Sequence, residues 1–194
     1  MKSSIINFWE QQLRSEAQCL SSLVYFKPEF MSLLEPHPVW STCGSNPFEV
    51  NKAVIQARML SGRYITDQLS RHWTSNKSGI CSLPSCTGQA IGSLEHILLH
   101  CPSLSSMRIK MINLSTEVSK CSPVLEALLA SILNDTDHTK LMQFLLDCSA
   151  LPEVVILKQE FGLQPLMTLF YISRTWCYNI HRSRMTQLGL FKYR

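Results

Sequence analysis

The chain has 194 residues, a net charge of +4 and a mean hydropathy of +0.04. An apolar fraction of 45% with only 16% charged residues is enough to bury a core, which excludes a disordered chain. No window reaches the roughly 18 apolar residues of a membrane span, and the N-terminus lacks a secretory signal. We therefore expect a globular, intracellular protein of the cytoplasm or nucleus with no membrane partner.

The eight cysteines set the next constraint. In a reducing compartment disulfides are rare, and clustered cysteines are more often metal ligands. Three of the eight, Cys81, Cys86 and Cys101, fall within one short segment, whereas the others are scattered. Most of the scattered cysteines lie in helix-like segments, where a free thiol usually behaves as a small buried apolar group.

The N-terminal part of the chain predicts helices. Residues 4–22 place Phe8, Trp9 and Leu13 at helical spacing. Asn46 followed by Pro47 is a strong helix start, because Asn can cap the first turn and Pro fits it. Gly62 ends that helix, and a shorter one leads to Trp73.

Basic and aromatic side chains alternate in these two helices. Arg58, Arg63 and Arg71 lie on adjoining turns beside Tyr64 and Trp73. Arginines among aromatics can contact phosphates while the rings stack on bases. Equally, the rings can belong to the core while the arginines extend outward to solvent. The sequence leaves both interpretations open.

Next comes a possible metal-binding knuckle with the spacing Cys81-x4-Cys86-x9-His96-x4-Cys101. Three thiolates and one imidazole can close a tetrahedral zinc site, and these soft and borderline ligands suit zinc better than calcium or magnesium. We predict a structural Zn²⁺ held by these four residues. His100 is a rival to His96, since the two lie four residues apart on one helix face. The alternative is that the cysteines are buried without a metal.

The remaining chain predicts four more helices, the fourth beginning at Pro152 and ending at Phe161-Gly162. The last helix should run from Pro165 to about Met185. On that helix Leu169, Ile172, Trp176 and Ile180 share one face. The opposite face carries Arg174, Tyr178 and His181, with Arg182 and Arg184 on its flanks. A basic face of this kind suits either solvent or the backbone of a nucleic acid.

No long run alternates with a period of two, so we predict a mainly α fold: a helical array with a small Cys/Cys/His/Cys zinc knuckle. Its regions are residues 1–77, the knuckle at 78–104, and a C-terminal helical region at 105–194, packed as one unit. No complete nucleophile or nuclease constellation occurs. We therefore expect a protein that is not an enzyme and has no small-molecule substrate.

The order of these pieces resembles the C-terminal zinc-knuckle region of non-LTR (LINE-type) retrotransposon reverse transcriptases. The most specific part is the arginine-rich stretch from Ala57 to Tyr64 just ahead of the knuckle. Further segments that resemble this family are Ser21–Leu33, Pro36–Trp40, Asn46–Glu49, Leu69–Trp73, Gly92–His96, His100–Pro102, Phe144–Cys148, Leu169–Tyr171 and Arg174–Cys177. One departure is the Cys-x4-Cys start, because knuckles of this family commonly begin Cys-x2-Cys.

The resemblance implies that residues 1–77 correspond to the segment downstream of the reverse transcriptase core. It also implies a fragment that lacks the RNA-directed DNA polymerase centre of its parent. Such a fragment would bind template RNA or target DNA, and the missing core would be a further partner. The predicted nucleic-acid-binding residues are Arg58, Arg63, Arg71, Lys77, Arg174, Arg182 and Arg184. The alternatives are a helical protein-interaction module or a non-functional relic with a purely structural zinc staple.

Overall fold

The computed structural model describes residues 2–20, 23–28, 35–74, 78–87 and 89–190, and the side chains of residues 2–4 and 6 are outside this description. Within these ranges the regular structure is helical. The α-helices are α1 (Lys2–Cys19), α2 (Pro38–Ser41), α3 (Pro47–Leu60), α4 (Asp67–Ser70), α5 (Ser105–Ser119), α6 (Pro123–Leu133), α7 (Thr139–Asp147), α8 (Pro152–Phe161) and α9 (Leu163–Gln187).

The predicted mainly α fold is confirmed. In the described ranges the only β pairing is an isolated antiparallel bridge between Ile80 and Ile91. Several predicted helix ends also hold. Asn46 caps α3, its side-chain oxygen accepting from the Phe48 N–H at 2.9 Å. Helix α8 begins at Pro152 and ends at Phe161, with Gly162 as its C-cap residue, as the proline and glycine positions predict.

Helix α9 is the centre of the helical core, and α3, α5, α7 and α8 all pack against it. Trp176, Phe170 and Phe144 are among the largest fully buried side chains of the protein. The predicted basic outer face of α9 is wrong through the middle of the helix. Arg174 is 2% exposed and Tyr178 is also buried, because neighbouring helices cover α9 on several sides.

Helix α1 contrasts with the other long helices. Its apolar side chains, among them Phe8, Trp9 and Leu13, are exposed. They have the helical spacing that the sequence predicts, but none of them belongs to the buried core. The apolar face of α1 is therefore left uncovered by the described chain.

The three predicted regions touch one another. Helix α3, from the first region, packs on α9 from the third. The boundaries at residues 77 and 104 stay a prediction. Among the described residues no helix is long and apolar enough to cross a membrane.

Candidate metal centre and the adjoining basic cavity

The four predicted metal ligands come together in the structure. The ligand atoms of Cys81, Cys86, His96 and Cys101 all lie within 4.8 Å of one another. The Sγ atoms of Cys81 and Cys101 are 3.8 Å apart, and Cys86 Sγ is 3.4 Å from His96 Nε2. A tetrahedral zinc site with bonds of about 2.3 Å to sulfur and about 2.1 Å to nitrogen requires separations of about 3.8 and 3.6 Å. This group can therefore hold a metal ion without large rearrangement.

A short loop with its own backbone pairing presents the first two cysteines. The Cys81 N–H donates to the Ala90 carbonyl at 2.9 Å, next to the bridge between Ile80 and Ile91. The Cys86 N–H donates to the Leu83 carbonyl at 3.0 Å, which closes the turn containing Pro84. The backbone N–H of Leu83 in turn donates to the Cys81 sulfur. The four-residue spacer thus still supplies a backbone donor to a ligand sulfur.

A turn of π-helix, His96–His100, places the other two ligands. The Ser93 hydroxyl accepts from the His96 N–H at 3.0 Å, as expected of a cap at this position. At the other end the Cys101 N–H donates to the His96 carbonyl at 2.7 Å. Because this hydrogen bond joins residues five positions apart, the turn brings the side chains of His96 and Cys101 close together. π-Turns of this kind are frequent at functional sites.

His100, the rival ligand, is not part of the cluster. Its Nε2 lies 3.5 Å from a Glu95 carboxylate oxygen, and its side chain is half exposed. Its ring lies beside that of His138 instead, with 5.3 Å between centroids. The structure thus places His96, and not His100, beside the three cysteines.

The electrostatics of the cluster disfavour the Cys81 thiolate when no cation is present. Burial, together with the neighbouring Cys101 and Cys86 thiols, raises the pKa of Cys81 to about 12. Burial, His100 and Arg108 lower the pKa of His96. A bound divalent cation would reverse this preference for a neutral thiol, because it stabilises the deprotonated ligands directly.

Asp67 joins the knuckle to α9. Its Oδ1 accepts from the Ser82 hydroxyl at 2.9 Å, and its Oδ2 lies 3.6 Å from Arg184 Nη2. Gly92 packs so closely on Asp67 that an added Cβ would come within 2.6 Å of the Asp67 Cβ. A side chain at position 92 would therefore push the knuckle away from α4.

The predicted basic residues divide into two groups. Arg58, Arg63 and Arg71 are exposed, as is Arg182, and the first three have no ion-pair partner within the described ranges. Arg174 and Arg184 are a correction to the prediction, because both are buried.

Internal hydrogen bonds explain the burial of these two arginines. Arg174 donates to the Thr42 hydroxyl at 2.6 Å and to the Thr42 carbonyl at 3.0 Å. Arg184 donates to the Ile65 carbonyl at 2.9 Å and pairs with Asp67. Neither is placed to contact the backbone of a nucleic acid on the surface. Lys77 lies outside the described residues.

The two aromatic residues near these arginines differ in exposure. Tyr64 is buried, and its hydroxyl lies 3.0 Å from His181 Nδ1. Trp73 is 65% exposed. The core interpretation therefore holds for Tyr64, whereas Trp73 remains available for stacking.

A cavity of about 620 Å³ lies beside the knuckle. Its walls come from α3, the loop between α3 and α4, Ser82 of the knuckle and the C-terminal end of α9. Arg58, Arg63 and Arg184 all line it, together with Asp67 and His181. The exposed Arg58 and Arg63 thus line the same cavity as the buried Arg184.

Sequence reasoning missed Asp67 and His181 as members of this region. Asp67 reads as an ordinary first-turn acid after the Thr66 cap, and nothing nearby in sequence indicates Arg184 as its partner. Its link to Arg184 spans more than a hundred residues, so only the fold could reveal it.

Comparison of the chain with family models, with curated proteins and with solved structures found no match in any of the three.

Proposed function

We propose that this chain is a helical module, stapled by a structural Zn²⁺, that binds nucleic acid. The observation that carries the proposal is the Cys81, Cys86, His96 and Cys101 cluster, whose ligand atoms lie within 4.8 Å of one another. Three thiolates and one imidazole select zinc over the oxygen-seeking cations, and four protein ligands leave no open position for catalysis. The role of the metal is accordingly structural.

The nucleic-acid part of the proposal rests on the arginines beside this cluster. Arg58, Arg63 and Arg71 are exposed. Because no carboxylate in the described chain pairs with them, their charge is available to phosphates. Trp73, near Arg71 in sequence, offers an exposed ring on which a base can stack. Arg182, also exposed, stays in the proposed set.

The longer protein to which we propose this chain belongs is a non-LTR retrotransposon reverse transcriptase, and this part of the proposal rests on the sequence resemblance alone. In such a protein the uncovered apolar face of α1, with Phe8, Trp9 and Leu13, would contact the polymerase core. The chain itself would contribute affinity for template RNA or target DNA and would not catalyse a reaction. Its proposed location is the cytoplasm or nucleus.

Binding of single-stranded RNA and of duplex DNA across a salt series tests the nucleic-acid function. Affinity should fall steeply with salt, since each neutralised phosphate releases counterions. Arg58→Gln with Arg63→Gln should weaken binding and flatten the salt slope by about 2. A matched pair of charge removals, Lys120→Gln with Lys140→Gln, should leave the slope nearly unchanged, because both lysines are ion-paired elsewhere. Absent binding at low salt, or binding indifferent to salt, contradicts the proposal.

A second candidate function is protein interaction, which the exposed apolar side chains favour. Besides the face of α1, Leu163, Met167 and Tyr171 are exposed at four-residue steps on α9. A second copy of the chain is the simplest occupant to test. Sedimentation should then show a dimer that Trp9→Asp or Met167→Asp dissociates. A monomer at all concentrations counts against this candidate, and a relic would show neither dimer nor nucleic-acid binding.

A further inference from the structure

The cavity beside the knuckle has an unusual balance of charge. Arg58, Arg63 and Arg184 contribute three positive charges and Asp67 one negative charge, which leaves a net of two positive charges on its walls. Asp67 is engaged by Arg184 and by Ser82. Arg58 and Arg63 have no carboxylate partner in the part of the chain that the structure describes. The excess charge therefore resides on Arg58 and Arg63.

His181 adds no charge to this balance near neutral pH. Burial and the positive charges of Arg184 and Arg58 lower its pKa to about 4. Its Nδ1 is held by the Tyr64 hydroxyl at 3.0 Å. The ring therefore forms an uncharged part of the cavity wall.

Arg184 is held rigidly in the wall of the cavity. It is 5% exposed, it bonds to the Ile65 carbonyl and Asp67, and its guanidinium lies over the Tyr64 ring at 5.6 Å. Its buried Nε has no hydrogen-bond partner among the described residues. Because this atom is buried, it does not face the open space, and Arg184 belongs to the wall through its ion pair with Asp67.

Much of the remaining lining is apolar, and it comprises Ile55, Ile65, Met185, Leu188 and Leu190. Hydroxyl groups of Thr66, Ser70 and Ser82 complete it. A volume of about 620 Å³ lies within the range of sites that bind small organic ligands. The ligand should thus combine a strongly anionic group with a sizeable apolar or planar part.

We propose that this cavity binds a nucleotide that carries a terminal phosphate monoester, with the phosphate on Arg58 and Arg63 and the base against the apolar wall. A phosphate monoester carries a charge of about −1.5 to −2 and so matches two unpaired arginines. An internal phosphodiester carries only one charge. The nucleotide can be the phosphorylated end of a strand or a free molecule, and the strand-end form rests on the proposed nucleic-acid function.

The test is titration of the full, metal-loaded chain with two pairs of ligands. The first pair is adenosine monophosphate and adenosine, and the second is one short single-stranded oligonucleotide with and without a terminal phosphate. We expect the phosphorylated member to bind about tenfold more tightly, or better, because charge-assisted hydrogen bonds to two arginines are lost without it. A preference in the second pair alone identifies a strand end, and a preference in the first pair alone identifies a free nucleotide.

Two variants separate the cavity from the general basic surface. Arg58→Gln with Arg63→Gln should abolish the preference for the phosphorylated member. Met185→Trp fills the cavity yet keeps every arginine, so it should remove binding of adenosine monophosphate while salt-dependent oligonucleotide binding persists. Both variants should retain the thermal unfolding midpoint of the wild type within a few degrees, which keeps the comparison free of folding effects.

Equal affinity for the phosphorylated and unphosphorylated members of both pairs overturns the inference. In that case salt-dependent oligonucleotide binding would still support the proposed function. Conversely, binding of adenosine monophosphate without any binding of oligonucleotides contradicts the proposed nucleic-acid function and supports nucleotide binding in the cavity. Inorganic phosphate that binds as tightly as adenosine monophosphate would also overturn the inference, since the apolar wall would then contribute nothing.

Discussion

The helical core and the metal knuckle are stabilised in different ways. In the core, α9 is surrounded by four helices, and side chains such as Trp176 and Phe144 are fully buried. Each buried side chain of this size contributes about 2–3 kcal/mol relative to an exposed one. In the knuckle, the described residues of 78–104 contain one β bridge, one π-turn and one short 3-10 helix, Pro102–Leu104. Thiols and an imidazole occupy its centre.

The two regions therefore differ in the interactions that we expect to stabilise them. The core can fold on apolar burial, as helices with packed faces do. The knuckle also contributes Leu83, Ile97 and Leu98 to the buried core, but it has little regular hydrogen bonding, so we propose that metal coordination supplies the remaining free energy. Changes at the ligands and changes in the core should therefore have separable effects.

The largest effect should follow the loss of a ligand. Structural zinc contributes apparent free energies on the order of 10 kcal/mol, and Cys86→Ser removes one of its four ligands. Hydrogen exchange should show lost amide protection from Ser78 to Leu104, while α7 and the middle of α9 stay protected. Cys121→Ser is the control, since this thiol is exposed and outside the cluster. Unchanged metal content and melting temperature in Cys86→Ser would refute the knuckle.

A core truncation should give the opposite pattern. Trp176 is fully buried, so Trp176→Ala should lower the free energy of unfolding by about 4 kcal/mol. Metal bound per folded chain should not change. Trp73→Ala, at an exposed ring, should cost less than about 0.5 kcal/mol. Metal loss from Trp176→Ala under folded conditions would mean that the two regions are one cooperative unit.

Asp67 links the two regions, and its removal should have an intermediate effect. Asp67→Ala leaves Arg184 buried without its carboxylate, which should cost about 3 kcal/mol in denaturant unfolding. The exposed Lys140–Glu153 pair provides the control: Glu153→Ala should cost less than about 1 kcal/mol. If the two variants lose equal stability, the buried link does not hold the knuckle to α9.

The smallest effect on the free energy of unfolding should come from lowering the pH. Because burial and two arginines lower the folded-state pKa of His181 to about 4, the unfolded chain binds a proton here first, near its ordinary pKa of about 6.5. Stability from this group is thus intact above pH 6.5 and is lost as the pH falls towards 4. After discounting for solvent screening the loss is about 1 kcal/mol. His181→Gln should show a pH profile flatter by this amount, and identical profiles would exclude the effect.

The sequence predicted the features that depend on local chemistry. Cysteine and histidine spacing predicted the ligand set, and the structure brings those four residues together. Proline and glycine positions predicted where α8 begins and ends. These signals succeed because ligand spacing and helix caps are properties of a few neighbouring residues.

Features set by packing could not be predicted in the same way. Arg174 has the spacing of an exposed basic face, yet it is buried and donates to Thr42, 132 positions away in the sequence. Arg184 finds Asp67 only after the chain has folded. Periodicity identifies one apolar face of α9, but it does not tell how many neighbours will cover the others.

The central claim is that Cys81, Cys86, His96 and Cys101 hold one zinc ion, and X-ray absorption at the zinc edge of the purified chain tests it most directly. We predict one zinc per chain with three sulfur ligands near 2.3 Å and one nitrogen near 2.1 Å. Cys86→Ser should lose a sulfur or the metal. A chain that binds no zinc, or zinc surrounded only by oxygen and nitrogen, would contradict the account.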